Sequence, residues 1–148
     1  METLLRSGLL IVMLALCACG PRADAKTVVE VFLSSREAGD IDGAMSVVAP
    51  EVVMRAPNEL QYQGGGQVRQ WLQATLSEYV YKLSEPPALN GNEVTWRDNL
   101  YSQSGFRWVG EIEWQAAVTD LKISSIRGRV VRGASGIICP QCPPGTRI

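Results

Sequence analysis

The chain has 148 residues, 14 basic and 15 acidic side chains, a formal net charge of −1 and no histidine. The missing histidine excludes imidazole acid–base chemistry, histidine-ligated metal sites and the histidine-containing triads. The charge balance supplies no electrostatic footprint for nucleic acid, and the ordinary composition fits one globular domain without repeats or low-complexity runs.

Residues 1–18 read as a targeting segment. Arg6 makes a short positive region before the apolar run from Leu9 to Leu16, which is too short to span a bilayer and has the form of a signal peptide. The junction Leu16-Cys17-Ala18-Cys19-Gly20 resembles a bacterial lipobox, with Leu three before the cysteine, Ala one before it and Gly after. That resemblance implies lipidation at Cys19, and export with anchoring to the bacterial cell membrane. Cys17 is a departure from the pattern. An ordinary secretory signal without lipid is the alternative.

Residues 19–23 form a tether, and the domain is expected over residues 24–131. Asp24 caps a first helix with apolar rows Val28, Phe32 and Val29, Leu33. Gly39 ends that helix, and Asp40 starts a second one with Ile41, Ala44, Met45 and Val48 on one face. Pro50 is expected to stop it. Val52-Val53-Met54 is a β-prone run closed by Pro57, followed by an irregular link over Asn58 to Gln63. Gly64-Gly65-Gly66 opens a third helix carrying Val68, Trp71, Leu72, Thr75 and Leu76 at helical spacing. The three glycines lack the Gly-Lys-Ser/Thr ending of a phosphate loop, so a turn is the reading.

From Tyr79 the period changes to two, with Glu85-Pro86-Pro87 as an interruption and Asn90-Gly91 as a hairpin signal. The strand from Glu93 to Tyr101 places Val94, Trp96, Asp98 and Leu100 on one face. A long strand from Phe106 to Val118 places Phe106, Trp108, Gly110, Ile112, Trp114, Ala116 and Val118 on its apolar face. A last strand runs from Leu121 to Val131. Helices segregated over a curved antiparallel sheet predict an α+β domain.

The stretch from Ala38 to Pro57 and the hairpin at Asp120-Leu121-Lys122-Ile123 resemble the nuclear transport factor two-like superfamily, which includes SnoaL-like cyclases, ketosteroid isomerases and limonene epoxide hydrolases. The resemblance implies a cone: a curved antiparallel sheet around about three helices, with a pocket inside. Relatives of this kind often pair through the sheet, so a homodimer is one expectation.

The family's acids are not where its enzymes need them. Phe32 stands at the position of the isomerase's tyrosine, Ala56 at that of its base before Pro57, and Trp114 at that of its protonated acid. For the epoxide hydrolase, alternation sends Arg97 and Asp98 to opposite faces, and the last-strand acid falls near Gly128. Asp98 is the one acid expected inside the cone. It is a catalytic candidate, or else a structural residue that lies near the open rim of the sheet or pairs with an arginine such as Arg55 or Arg69. The pocket-binding residues are expected to be Phe32, Met54, Trp71, Trp96, Asp98, Trp108 and Trp114.

Residues 132–148 form a tail holding Cys139-Pro140-Gln141-Cys142. A zinc site would need further ligands, and a thioredoxin-like motif would need a helix start in a βαβ unit, so a local Cys139–Cys142 disulfide or a plain tail is expected. No cofactor or metal is called for. The functional expectation is a membrane-tethered, non-catalytic domain that binds a small apolar ligand or a protein partner in or on its cone. The alternative is a small-molecule isomerase, lyase or hydrolase centred on Asp98.

Overall fold

The computed structural model describes residues 24–133. Cys19, Cys139 and Cys142, with the readings attached to them, lie outside the described residues.

Helix α1 spans Ala25–Glu37, its first turn capped where the Asp24 carboxylate accepts from Thr27 N–H at 2.8 Å. Its apolar rows are buried, and Arg36 is buried with them. Gly39, at φ 72°, makes the left-handed turn out of the helix. Helix α2, Ile41–Ser46, is capped by Asp40, whose carboxylate accepts from Gly43 N–H at 2.9 Å. It ends earlier than Pro50 suggests, because strand β1 already occupies Val48–Arg55 and contains that proline.

The expected irregular link is also partly ordered: β2, Gln61–Gln63, pairs antiparallel with β1. Helix α3, Gly64–Glu78, packs against β1 and buries Val68, Trp71, Leu72 and Thr75. Strand β3, Tyr79–Asn90, continues through Pro86 and Pro87 because it is a sheet edge, where a missing N–H costs no ladder bond. Strands β4 (Glu93–Ser102), β5 (Trp108–Thr119) and β6 (Lys122–Gly133) complete a six-stranded sheet in the order β2-β1-β6-β5-β4-β3. The sheet is mixed rather than wholly antiparallel, since β1 runs parallel to β6. Register shifts interrupt the ladders of all the long strands. Such bulges bend a sheet, and here they curl it around α1. The result is the cone-shaped α+β fold.

Val29, Val52, Leu72, Val94 and Ile123 are wholly enclosed between the helices and the sheet. None of the helices among the described residues is long and apolar enough to cross a membrane.

Candidate functional site

Asp98 sits on β4 with 0% of its surface exposed, and Arg36 reaches it from the last turn of α1 with 4% exposed. The two form a fork: Arg36 Nη1 donates to Asp98 Oδ2 at 2.8 Å, and Nη2 donates to Oδ1 at 2.9 Å. Trp96, two residues earlier on the same face, donates its indole N–H to Oδ2 at 3.2 Å. The guanidinium also lies over the Tyr81 ring, 4.7 Å from its centroid. A charge in such a place is tolerable only when paired and hydrogen-bonded, and each carboxylate oxygen has a donor.

The sequence reading of an arginine partner is right in kind and wrong in residue. Arg55 pairs with Glu59 and Arg69 with Asp42, both at the surface. Arg36 is the partner that sequence spacing missed. A signal for it existed: Arg36 follows Val29, Phe32 and Leu33 at helical steps, so it lies on the buried face of α1.

Around this pair the cone is packed with aromatic rings. Trp96 and Trp114, cross-strand partners on β4 and β5, stack with ring planes 15° apart and centroids 6.3 Å apart. Trp71 from α3 meets Trp114 edge-on at 5.8 Å, and Tyr81 lies 6.5 Å from it. Burial pushes the Tyr81 hydroxyl up to about 12, against the opposing pull of the Arg36 charge.

Gly128, paired with Trp114 across β5 and β6, makes room for this stack. A methyl there would stand 2.6 Å from Trp114 Cζ3 and 2.9 Å from the Pro57 ring. The position where the resemblance wanted a last-strand acid therefore has no room for a side chain.

One void among the described residues measures about 10 Å³ and is bordered by Phe32, Met54, Trp71, Trp96 and Trp114 among others. That is the room one water molecule needs. Arg36 Nε and Trp114 Nε1 find no acceptor among the described residues.

Five of the expected pocket aromatics and aliphatics (Phe32, Met54, Trp71, Trp96, Trp114) thus border the same small void, with Asp98 beside it behind Arg36. Trp108 does not join them. It is 37% exposed, and its indole N–H donates to Asn99 Oδ1 on the polar side of β4. The cause is a register shift between Leu100 and Tyr101, which breaks the strict alternation from which the inward face was read. Phe106, also read as inward, precedes the strand and is 70% exposed. A second cleft of about 160 Å³, where the ends of α1 and α3 meet the start of β3, is lined by Arg36, Glu37, Leu76, Tyr79 and Tyr81 among others, so it reaches the guanidinium and the ring beside the buried pair.

No family model and no curated protein matches the chain. Solved structures do. An NTF2-like protein of unknown function from Cytophaga hutchinsonii superposes with a TM-score of 0.63 at 10% identity, covering 74% of this chain and 91% of that one. An LEH-like epoxide hydrolase from M. tuberculosis gives 0.61 at 18% identity, covering 72% and 81%. A de novo designed protein with a curved β-sheet gives 0.63 at 19% identity, covering 75% and 88%. The chain therefore has the NTF2-like fold. An enzyme and a designed scaffold share that fold, so chemistry has to be argued from the cone itself.

Proposed function

We propose that this chain is an exported, membrane-tethered NTF2-like domain of the SnoaL-like kind that works as a non-catalytic binding module, with its protein partner held on the outside of the cone. The observation carrying this reading is the clamp on Asp98. A general base must reach the proton it removes with a free oxygen, and both oxygens of Asp98 are engaged by Arg36 and Trp96 at zero exposure. Phe32, Ala56 and Gly128 at the family's catalytic positions support the same reading.

The void bears on the ligand class. Small-molecule pockets enclose roughly 300–1,000 Å³, whereas the void between the rings measures about 10 Å³ and the cleft beside Arg36 about 160 Å³. A partner on the surface fits that interior better than an apolar ligand within it.

The test is turnover by the purified domain of a steroid enone and of a terpene epoxide. Neither is expected to react. Turnover of either, abolished by Asp98→Asn in a protein that still folds, would replace the binding module with an enzyme. The tether has its own test: Cys19→Ser is expected to release the protein from membranes or leave its precursor uncleaved. An unlipidated mature N-terminus elsewhere, found by mass spectrometry, would remove the anchor.

A further inference from the structure

Strand β3 ends the sheet, and among the described residues it pairs with β4 alone. Two hydrogen bonds at its start fix which main-chain groups face the open edge. Gln103 N–H donates to Glu78 O at 2.8 Å, and Ser102 N–H donates away from β3, to Arg107 O at 2.9 Å. Glu78 and Gln103 therefore form a hydrogen-bonded pair, and Tyr79 with Ser102 the non-bonded pair that follows it. Alternation carries this along the register, so Val80 and Lys82 bond to β4. Tyr81 and Leu83 turn their N–H and C=O groups outward, to the open edge.

The same edge carries a projection and a recess a few residues apart. Leu83 is 41% exposed. The cleft of about 160 Å³ takes in Leu76, Tyr79, Val80, Tyr81 and Lys82, so it opens beside the start of the strand. Beyond Leu83 the ladder shifts register and Pro86 and Pro87 follow, which blunts the rest of the edge. Glu78 and Lys82 are both exposed, and no salt bridge among the described residues uses either.

We propose that two copies of this chain join β3 to β3 as antiparallel strands, about a two-fold axis at Tyr81. That register sets Tyr81 against Tyr81, where each N–H donates to the C=O of the other. It sets Leu83 of each copy opposite Tyr79 of the other, at the cleft, which has room for a leucine side chain. Lys82 then stands opposite Val80 of the second copy and diagonal to its Glu78, within reach of a long side chain. A two-fold contact requires such self-complementarity, with projection and recess exchanged between the copies. The pairing stands apart from the proposed function, since neither the ring stack nor the tether takes part in it.

Sedimentation equilibrium of the purified protein, from micromolar to millimolar, tests the proposal. A monomer–dimer equilibrium is expected, weak because the contact is short. Leu83→Asp should weaken dimerisation about tenfold or more, by bringing a charge to an apolar recess. Glu78→Lys and Lys82→Glu should each weaken it, and the two together should restore it. That restoration is a readout that damage to the fold does not give. A monomer at every concentration would overturn the proposal. A dimer indifferent to Leu83→Asp, or not restored by the charge exchange, would overturn it too and place the contact elsewhere, as on the outer face of the sheet.

Discussion

The interior of the cone and the outer face of its sheet use the same chemistry, arginine against carboxylate, to different ends. Inside, Arg36 and Asp98 pair at 4% and 0% exposure, forked and flanked by indole and phenol rings. Outside, Glu85, Arg97, Glu113 and Arg129 link across β3, β4, β5 and β6 in a solvated ladder, and beside it the exposed Arg132 reaches the largely buried Glu111. The inner pair is costly to desolvate and cannot lose a member without stranding a buried charge. The outer ladder is screened by water, and each rung contributes little. Charge inside the cone therefore locks a single arrangement of rings, while charge outside keeps the sheet face soluble.

Breaking the inner pair is expected to give the largest effect. Asp98→Ala should cost about 3–5 kcal/mol in urea unfolding, the range for leaving a buried ion unpaired. Replacing both members, Arg36→Met with Asp98→Leu, should recover most of that loss, because the penalty belongs to the stranded charge. An Asp98→Ala loss as small as that of a ladder variant would erase the distinction between the two regions.

Crowding the ring stack comes next. Gly128→Ala puts a methyl into Trp114 and Pro57 and should cost about 1–3 kcal/mol, as overpacking does. An unchanged midpoint would mean that the rings have slack the packing does not display.

A third effect lies at alkaline pH. The Tyr81 hydroxyl is raised from 10.0 to about 12 by burial. Its stabilising contribution is complete below the ordinary value and is lost as pH rises from there through about 12, since the unfolded chain gives up the proton first. Unfolding followed over that window should show a decline that Tyr81→Phe removes.

The ladder supplies the smallest effect. Glu113→Gln should cost at most about 1 kcal/mol, and less still in about 1 M salt. Hydrogen bonds from Arg129 and Arg97 hold the Glu113 carboxyl below its ordinary value. Its contribution is therefore present above the ordinary carboxylate value and is lost as pH falls through the lowered one. A salt-independent loss would show that the outer face is less screened than its exposure implies.

Much of this was legible in the sequence, for physical reasons. Asp24, Gly39 and Asp40 mark the helix ends through capping chemistry, and alternation on β4 put Val94, Trp96, Asp98 and Leu100 inside, where they are buried. What alternation misses is a bulge. One register shift beside Leu100 was enough to carry Trp108 out of the cone. The parallel pairing of β1 with β6 and the short β2 are long-range choices that local propensity does not encode. Whether the cone would be hollow was also beyond a residue list. Trp71, Trp96 and Trp114 can line a pocket or fill one, and their mutual angles and the glycine at 128 decide it.

The most direct test of the filled cone is the indole N–H spectrum of nitrogen-labelled protein while a steroid enone or a terpene epoxide is added. The Trp96 and Trp114 signals, assigned by Trp→Phe variants, report from the centre of the stack. A closed cone predicts that neither moves at any concentration the compounds reach in solution. A saturable shift of both would contradict it, because a ligand that displaces these rings needs more room than the void of about 10 Å³ between them.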